Sequence, residues 1–182
     1  MLTKNFKNLM AMMLQASGDA VCSGLTITNI QNAEKKLSAR YNDGYVWPYA
    51  SYRDCRLNSN DPGIHFGSGT TAATEDDYYL ESKITAGLQF QLGKVNGMDA
   101  AGNPYIRFDI MVTNTNQVGG ASITIGEVGY TQQAIVLNAA ETGVERTVFL
   151  LDRTVLNTPV TLQPQEYALI RYTLKTVVSA GE

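Results

Sequence analysis

Closely spaced turn signals constrain the fold of this chain more than any other feature of its sequence. Clusters of glycine, proline, asparagine and aspartate recur at 42–44, 61–63, 96–97, 102–104 and 119–120. Such clusters favour tight turns, because glycine and asparagine tolerate left-handed backbone and proline fixes φ. The runs between them are short, and several alternate apolar with polar residues, which is the period of a half-buried strand. We therefore expect about eight short strands in an antiparallel sandwich or barrel.

The clearest strand lies at 105–114, where apolar and charged residues occupy opposite faces. Its apolar face consists of Ile106, Phe108, Ile110 and Val112. Arg107 and Asp109 fall on the other face. Further strands are predicted at 25–30, 45–57, 62–69, 83–95, 122–137, 146–152 and 159–177. The last of these contains two strands joined by a turn at 163–165. The chain is thus predicted to be mainly β, an antiparallel β-sandwich of the immunoglobulin-like or jelly-roll-like kind.

The first residues predict an amphipathic helix that precedes the β domain. One stripe of this helix, with the spacing i, i+3, i+4 and i+7, consists of Phe6, Leu9, Met10 and Met13. Thr3 is expected to cap the helix at its start, and Gly18 is expected to end it. This divides the chain into a helical arm, residues 1–19, and a β-sandwich domain, residues 20–182.

The apolar stripe of the arm either packs on its own domain or docks into a neighbouring subunit. We prefer the second alternative, because a terminal methionine-rich stripe is an adaptable contact surface. Phe6, Leu9, Met10 and Met13 are therefore the predicted assembly interface. The apolar run at 9–14 is shorter than the about 7–15 residues of a signal-peptide core. It is also far shorter than a membrane span, so no membrane partner is expected.

The stretch IHFGSGTTA at 64–72 has the glycine spacing of a dinucleotide-binding fingerprint. Such a fingerprint needs a helix directly after the glycines, whose first N–H groups hold the phosphates. Here three acids follow at 75–77, which would repel a phosphate, and no apolar stripe continues. A neutral turn is therefore predicted, in which Gly67 and Gly69 are backbone requirements. Thr74 and the acids are expected to cap a single helical turn.

No set of residues predicts catalysis, a metal site or a cofactor. His65 is the only histidine, and we expect it on the surface or at an interface, because alternation sets it opposite Ile64 and Phe66. The acids at 75–77 and the loop at 96–103 could each offer oxygen ligands to calcium. Neither matches an EF-hand loop, so solvated turns are preferred for both.

The densest aromatic cluster lies at 41–52 and allows two interpretations. Its members are Tyr41, Tyr45, Trp47, Tyr49 and Tyr52. They could form the core and edge of a strand, which we prefer, or they could stack on sugar rings at a binding face. The second interpretation gives the alternative function, a carbohydrate-binding module that recognises host-surface glycans through Tyr45, Trp47 and Tyr49.

The chain is poor in charged residues, which make up 17% of it against the usual share of about 25%. A neutral-polar surface suits a protein that is covered by neighbours. The net charge is −3 and no basic stripe is present, so direct nucleic-acid binding is not expected. The two cysteines, Cys22 and Cys55, lie in unlike contexts, and we interpret them as free thiols rather than a disulfide framework.

Several segments together resemble a group of small virion structural proteins of tailed bacteriophages, common among phages of gut bacteria. The segments are NFKNLMAMML (5–14), GIHFGSGTTAATEDDYYLESKITAGL (63–88), NGMDAAGNPYIRFDIMVTN (96–114), ITIGEVGY (123–130) and VFLLDRTVLNTPVTLQPQEYALIRYTLKT (148–176). The end of the chain is also similar to the last hairpin of immunoglobulin-like domains on phage and bacterial surfaces. The likeness covers most of the chain and is weakest at about 20–60.

This resemblance implies a non-enzymatic function. The chain would be a structural protein of the neck, tail or capsid exterior, present in repeated copies as a homo-oligomer within a symmetric assembly. Its partners would be other phage virion proteins, and it would assemble into the virion in the cytoplasm of the bacterial host. Free cysteines and a low charge fit this expectation.

Overall fold

The computed structural model describes residues 1–15, 25–37, 62–140 and 142–175. The predicted strand at 45–57 lies outside the described residues, together with Tyr45, Trp47 and Tyr49. Both cysteines lie outside them as well. The glycan-contact prediction and the thiol prediction therefore stay predictions.

The chain is mainly β with antiparallel sheets, as predicted. Its elements are α1 (Lys4–Gln15), β1 (Thr26–Thr28), β2 (Glu34–Lys36), β3 (Gly63–Gly67), β4 (Leu88–Met98), β5 (Pro104–Asn114), β6 (Ile123–Leu137), β7 (Val144–Leu162) and β8 (Tyr167–Lys175). They form a β1-β2 pair, a β3-β6-β7 sheet and a β4-β5-β8 sheet. The pairs β1·β2, β3·β6, β4·β5 and β5·β8 are antiparallel. Among the described residues, no helix has both the length and the apolar character needed to span a membrane.

Contacts group the chain into two compact units. The first unit comprises Met1–Thr85 and Ile125–Pro159, and the second comprises Ala86–Thr124 and Val160–Glu182. The first unit has Phe66, Ile125 and Phe149 among its fully buried side chains. The predicted division into an arm, 1–19, and a domain, 20–182, stays a prediction.

Strand β5 of the second unit follows the alternation that its sequence predicts. Phe108, Ile110 and Val112 are at most 1% exposed, whereas Ile106, near the start of the strand, is 38% exposed. On the opposite face, Arg107 Nη2 donates to Asp109 Oδ2 at 3.0 Å. Residues two apart on a strand share a face, which brings this pair together.

The end of the chain differs from the predicted hairpin. Strand β7 is one continuous strand of 19 residues, where two separate runs were predicted. A turn follows it at the predicted place, with Gln165 at a φ of 67°. Strand β8, however, pairs with β5 and not with β7. The two strands that flank this turn therefore belong to different sheets, and alternation alone cannot indicate which strand a given strand pairs with.

Helix α1 is tied to the first unit by polar groups at its start. The backbone N–H of Thr3 donates to the carbonyl of Leu151 at 3.1 Å, and its hydroxyl donates to the carbonyl of Leu150 at 2.7 Å. Thr3 was predicted to cap the helix. Its carbonyl does accept from Phe6 at 3.1 Å, but its hydroxyl bonds strand β7 rather than a helical N–H.

Of the predicted apolar stripe on α1, only two side chains can be described. Leu9 is buried, with 3% exposed, and Phe6 is half-buried. The side chains of Met10 and Met13 lie outside the description. The amphipathic character of α1 and its predicted role as an assembly interface therefore stay predictions.

Candidate functional site

The glycine-rich segment forms a loop that leaves β3 and returns beside it. Ser68 N donates to the carbonyl of Ser82 at 2.8 Å, and Ile84 N donates to the carbonyl of Phe66 at 2.8 Å. Residues 68–82 therefore form a loop whose two ends lie close together. It holds the predicted turn and the acids at 75–77, and it lies entirely in the first unit.

Glu127 of strand β6 fills this loop with its carboxylate. The side chain is 0% exposed. Its Oε1 accepts hydrogen bonds from Gly69 N at 3.2 Å and Ser82 N at 2.8 Å, and its Oε2 accepts one from Glu81 N at 3.2 Å. Buried charge is tolerated when hydrogen bonds and a counter-charge replace its water. Three backbone donors supply the first of these conditions.

Arg153 of strand β7 supplies the counter-charge. Its side chain is 3% exposed, and its Nε lies 2.6 Å from Glu127 Oε2. The two Nη atoms reach the loop itself, with Nη1 at 2.8 Å from Asp77 Oδ2 and Nη2 at 3.3 Å from Glu81 Oε2. Nη2 also donates to the carbonyl of Thr71 at 3.1 Å. We call Arg153, Asp77, Glu81 and Glu127 the Arg153 cluster.

The pKa directions of the cluster agree with its geometry. Burial acts to raise the pKa of Asp77, but hydrogen bonds from Arg153 and Thr74 outweigh it and hold that pKa below its ordinary value of 3.8. Hydrogen bonds from Thr71 and the charge of Arg153 lower the pKa of Glu81. Burial acts to lower the pKa of Arg153, yet bonds to Asp77 and Glu127 leave it raised. At neutral pH, Asp77 and Glu81 are therefore carboxylates that face the Arg153 guanidinium.

Gly67 and Gly69 are required because the carboxylates approach the backbone closely. A Cβ atom at Gly67 would lie 2.2 Å from Glu127 Oε1, and one at Gly69 would lie 2.6 Å from both Glu127 Oε1 and Glu81 Oε2. Neither glycine has a positive φ. Space for an anion, and not left-handed backbone, therefore explains the two glycines.

The glycine turn does bind an anion, and that anion belongs to the chain itself. The N–H groups of Gly69, Glu81 and Ser82 point at Glu127, as the N–H groups of a phosphate-binding loop point at a phosphate. A nucleotide at this turn would have to displace a buried carboxylate that is paired with Arg153. The arrangement fixes a loop to two strands.

The acids at 75–77 form a turn without a helix. Thr74 N donates to Asp77 Oδ2 at 2.9 Å, and the Thr74 hydroxyl donates to Asp77 Oδ1 at 2.9 Å. The structure has a turn where a single helical turn was predicted. An acid does accept a backbone N–H there, as predicted, but the Thr74 hydroxyl donates to Asp77 and does not cap a backbone N–H. The Asp77 carboxylate accepts hydrogen bonds from Arg153 and Thr74. The Glu75 carboxylate accepts one from the Lys7 ammonium of helix α1, at 2.6 Å.

His65 is a buried residue, which corrects the prediction that places it on the surface or at an interface. It is 0% exposed, and its Nε2 lies 3.0 Å from the Thr131 hydroxyl. Every residue of Gly63–Gly67 is buried, so β3 is covered on both faces. An alternating sequence pattern identifies the buried face of a strand only where the other face is exposed to water. Neither face of β3 is exposed.

Tyr79 lies beside His65 and is itself in contact with a cation. Its ring lies 5.8 Å from the ring of Tyr79 in an edge-on arrangement. Burial raises the pKa of Tyr79 to about 12, so the phenol is neutral. The ammonium of Lys83 lies 5.4 Å from the centre of the Tyr79 ring, and burial lowers the pKa of Lys83. These contacts pack the base of the loop.

The second calcium alternative, the loop at 96–103, is held by its own hydrogen bonds. Asp99 Oδ1 accepts from Ala101 N at 2.9 Å and from Asn103 N at 2.8 Å, and Asp99 also pairs with Lys175. The bond from Lys175, together with the bonds from Asn103, lowers the pKa of Asp99. Within the part of the chain that the structure describes, no group of three or more His, Cys, Asp or Glu residues could hold a metal ion.

The sequence reasoning missed Glu127 and Arg153, although a signal for Glu127 exists. Glu127 stands alone as a charge in ITIGEVGY, whereas Arg153 has a charged neighbour, Asp152, after the apolar run VFLL. An isolated charge inside an apolar strand usually needs a buried partner of opposite sign. The pairing itself could not be predicted, because the two residues are 26 positions apart on different strands.

Protein-family models, curated proteins and solved structures were compared with the chain, and none of them matches it. Its function must therefore be argued from its own residues.

Proposed function

We propose that this chain is a non-enzymatic structural protein of a tailed-bacteriophage virion. One observation carries the proposal. The segments that resemble phage virion proteins include 63–88, 123–130 and 148–176, and the Arg153 cluster joins these three segments. Asp77 and Glu81 come from the first, Glu127 from the second and Arg153 from the third.

The position of the cluster gives the resemblance a physical meaning. The four charged groups of the cluster are directed at one another, Glu127 also accepts from backbone N–H groups, and Arg153 and Glu127 are almost fully buried. Such groups stabilise a particular loop and strand arrangement. The sequence segments that resemble virion proteins would then be the ones that maintain the fold, as we expect in a family of assembly proteins.

Exposed apolar side chains support an assembly role. Several large ones face solvent, at Met98 (69%), Val118 (88%), Tyr167 (71%) and Leu169 (58%). Apolar surface is typical of protein contact sites where it is contiguous, and among these residues Tyr167 and Leu169 are neighbours on one face of β8. We propose that these contacts are made with other virion proteins and with further copies of the chain, in the neck, tail or capsid exterior. An immunoglobulin-like or jelly-roll-like sandwich remains part of this proposal.

Mass spectrometry of gradient-purified particles tests the proposal. Particles of the phage that encodes this chain are expected to contain it in repeated copies per particle, after washing in high salt. Cryo-electron microscopy of the same particles should show density for it on the exterior. Finding the chain in infected-cell extract but not in washed particles would contradict the proposal.

A glycan array of the purified chain tests the alternative function. The virion proposal predicts no binding to host polysaccharide beyond background. Binding that is lost in Trp47→Ala and kept in Tyr78→Ala, an exposed tyrosine elsewhere in the chain, would favour the carbohydrate-binding module instead.

A further inference from the structure

Within the described residues, strand β8 pairs with β5 alone and so lies at an edge of the β4-β5-β8 sheet. Asn114 N donates to the carbonyl of Glu166 at 2.9 Å, so this carbonyl faces β5. Backbone groups alternate along an antiparallel strand. The N–H and C=O groups of Tyr167, Leu169 and Arg171 therefore point away from β5, toward the outer edge.

This edge carries little of the protection that edge strands usually have. Proline, glycine, bulges and inward charges commonly block such edges from pairing with another chain. Strand β8, YALIRYTLK, contains no proline or glycine, and its exposed face begins with Tyr167 (71%) and Leu169 (58%). The opposite edge of the sheet, β4, contains two glycines, Gly93 and Gly97.

The charged residues on the exposed face of β8 already have acidic partners. Arg171 Nε lies 3.4 Å from Asp109 Oδ1, and Lys175 pairs with Asp99. These pairs reduce the repulsion that a cationic edge would exert on an incoming strand. A partner strand that places apolar residues on Tyr167 and Leu169 is therefore favoured.

We propose that β8 pairs in antiparallel orientation with β8 of a second copy of this chain, about a twofold axis at Leu169. This register sets Leu169 against Leu169 of the second copy, as an apolar pair at the centre. It also sets Tyr167 against Arg171 of the second copy, twice, as a cation–π pair. All three are positions whose backbone groups point outward, so the strands exchange their hydrogen bonds. The two β4-β5-β8 sheets become one continuous sheet.

Neighbouring registers are less favourable for reasons that the strand itself supplies. An axis at Arg171 would use the strand fully but would place the two guanidinium groups opposite each other, which destabilises a cross-strand pair. An axis at Tyr167 would place Leu169 against Gln165, whose φ of 67° ends the extended backbone. The pairing at Leu169 names one partner for the proposed function, a second copy of the chain, and it rests on that function for its biological context. It is nevertheless a property of the isolated chain.

Cysteine cross-linking tests the register. Leu169→Cys, in a chain that also carries Cys22→Ser and Cys55→Ser, is expected to form a disulfide-linked dimer under mild oxidation. Facing Cα atoms at hydrogen-bonded positions lie about 5.5 Å apart, which a disulfide can bridge. The matched control is Thr173→Cys on the same face of the same strand. In the proposed register the two copies of residue 173 lie about 27 Å apart. Equal cross-linking of both variants would overturn the register.

Sedimentation of the otherwise unaltered chain tests the dimer without relying on cysteine. The chain is expected to be a dimer, and Leu169→Lys is expected to be a monomer that melts at the temperature of the unassociated chain. Val118→Lys, at a residue that is 88% exposed in a loop, should remain a dimer. A monomeric unaltered chain, or an oligomer that survives Leu169→Lys, would overturn the inference. Neither outcome affects whether the chain is found in particles, so failure of this inference can be told from failure of the proposed function.

Discussion

Arg153 contacts carboxylates that come from a turn, from a loop and from a neighbouring strand. Its guanidinium can do so because its five N–H donors are fixed in one plane, whereas a lysine ammonium is a single point of charge. Glu127 would be an uncompensated buried charge without it, and the loop at 68–82 would lose its link to strand β7. At the scale of the residue, the local structure therefore depends on one side chain.

Replacing Arg153 with methionine is expected to destabilise the chain strongly. The change keeps much of the apolar stem but leaves Glu127 buried without its counter-charge, which typically costs about 3–5 kcal/mol. Urea unfolding measures the free energy. The control is Lys7→Met, because Lys7 is 55% exposed and its pair with Glu75 is expected to contribute less than about 1 kcal/mol. Similar losses for the two variants would contradict the role given to the Arg153 cluster.

Gly69→Ala is expected to reduce stability by about 1–3 kcal/mol, because the new methyl group overlaps Glu127 Oε1 and Glu81 Oε2. Gly93→Ala is the control, since a Cβ at Gly93 would meet no atom closer than 3.7 Å. Both variants are compared by thermal melting. Added nucleotide should leave the melting temperature of the unaltered chain unchanged. A rise of several degrees would show that the turn accepts a phosphate after all.

Stability should fall at acid pH because of Asp77. Its folded pKa lies below 3.8, so the unfolded chain binds the proton more readily. Its contribution is therefore complete above the unfolded pKa and is lost as the pH falls through the folded value. Unfolding free energies measured from about pH 5 to pH 2 should decline, and less steeply in Asp77→Asn. An identical slope in the variant would mean that Arg153 and Thr74 do not lower this pKa.

At the scale of the element, the sequence allows some strands to be predicted well and others poorly. Strand β5 has water on one face, so its alternation of Phe108, Ile110 and Val112 with polar residues is visible. Strand β3 is buried on both faces, and His65 was misplaced because nothing in its pattern shows this. The partner of β8 and the pairing of Glu127 with Arg153 depend on contacts between distant segments. The pattern of residues within one segment cannot predict such contacts.

Ile170→Asp in strand β8 is expected to abolish soluble folded protein. Ile170 is 8% exposed, and an unpaired buried carboxylate costs several kcal/mol. The neighbouring change Leu169→Asp places the same group on the exposed face and should leave soluble expression and the fold intact. Soluble yield and circular dichroism distinguish the two. Normal yield of a folded Ile170→Asp variant would show that the buried face of β8 is assigned wrongly.

At the scale of the whole molecule, the first unit is held together by contacts between residues far apart in sequence. The Thr3 hydroxyl and the carbonyl of Leu150 are 147 positions apart. The side chain of Asn5 also bonds strand β1 as a peptide would, donating to the carbonyl of Thr28 and accepting from its N–H, each at 2.8 Å. Residues 3–5 thus form hydrogen bonds with two strands of the first unit, β7 and β1. Contacts of such separation form late and slowly in folding.

Deleting residues 1–17 separates the two roles considered for the N-terminal segment. The sequence favours docking on a neighbouring subunit, which predicts nearly unchanged melting and weaker incorporation into particles. The contacts of Thr3, Asn5 and buried Leu9 lead us to expect a large fall in melting temperature instead. Several hydrogen bonds are lost, each worth about 0.5–1.5 kcal/mol, and buried apolar surface becomes exposed.

The truncation needs a control that alters the segment without removing these contacts. Lys4→Ala changes an exposed side chain at the start of α1 and should melt like the unaltered chain. Asn5→Ala should lie between the two, because it leaves the backbone N–H and carbonyl of Thr28 without these partners. If the truncated chain melts unchanged, the contacts at the start of the chain do not stabilise the first unit. The segment would then be available to a partner, as its methionine-rich sequence suggests.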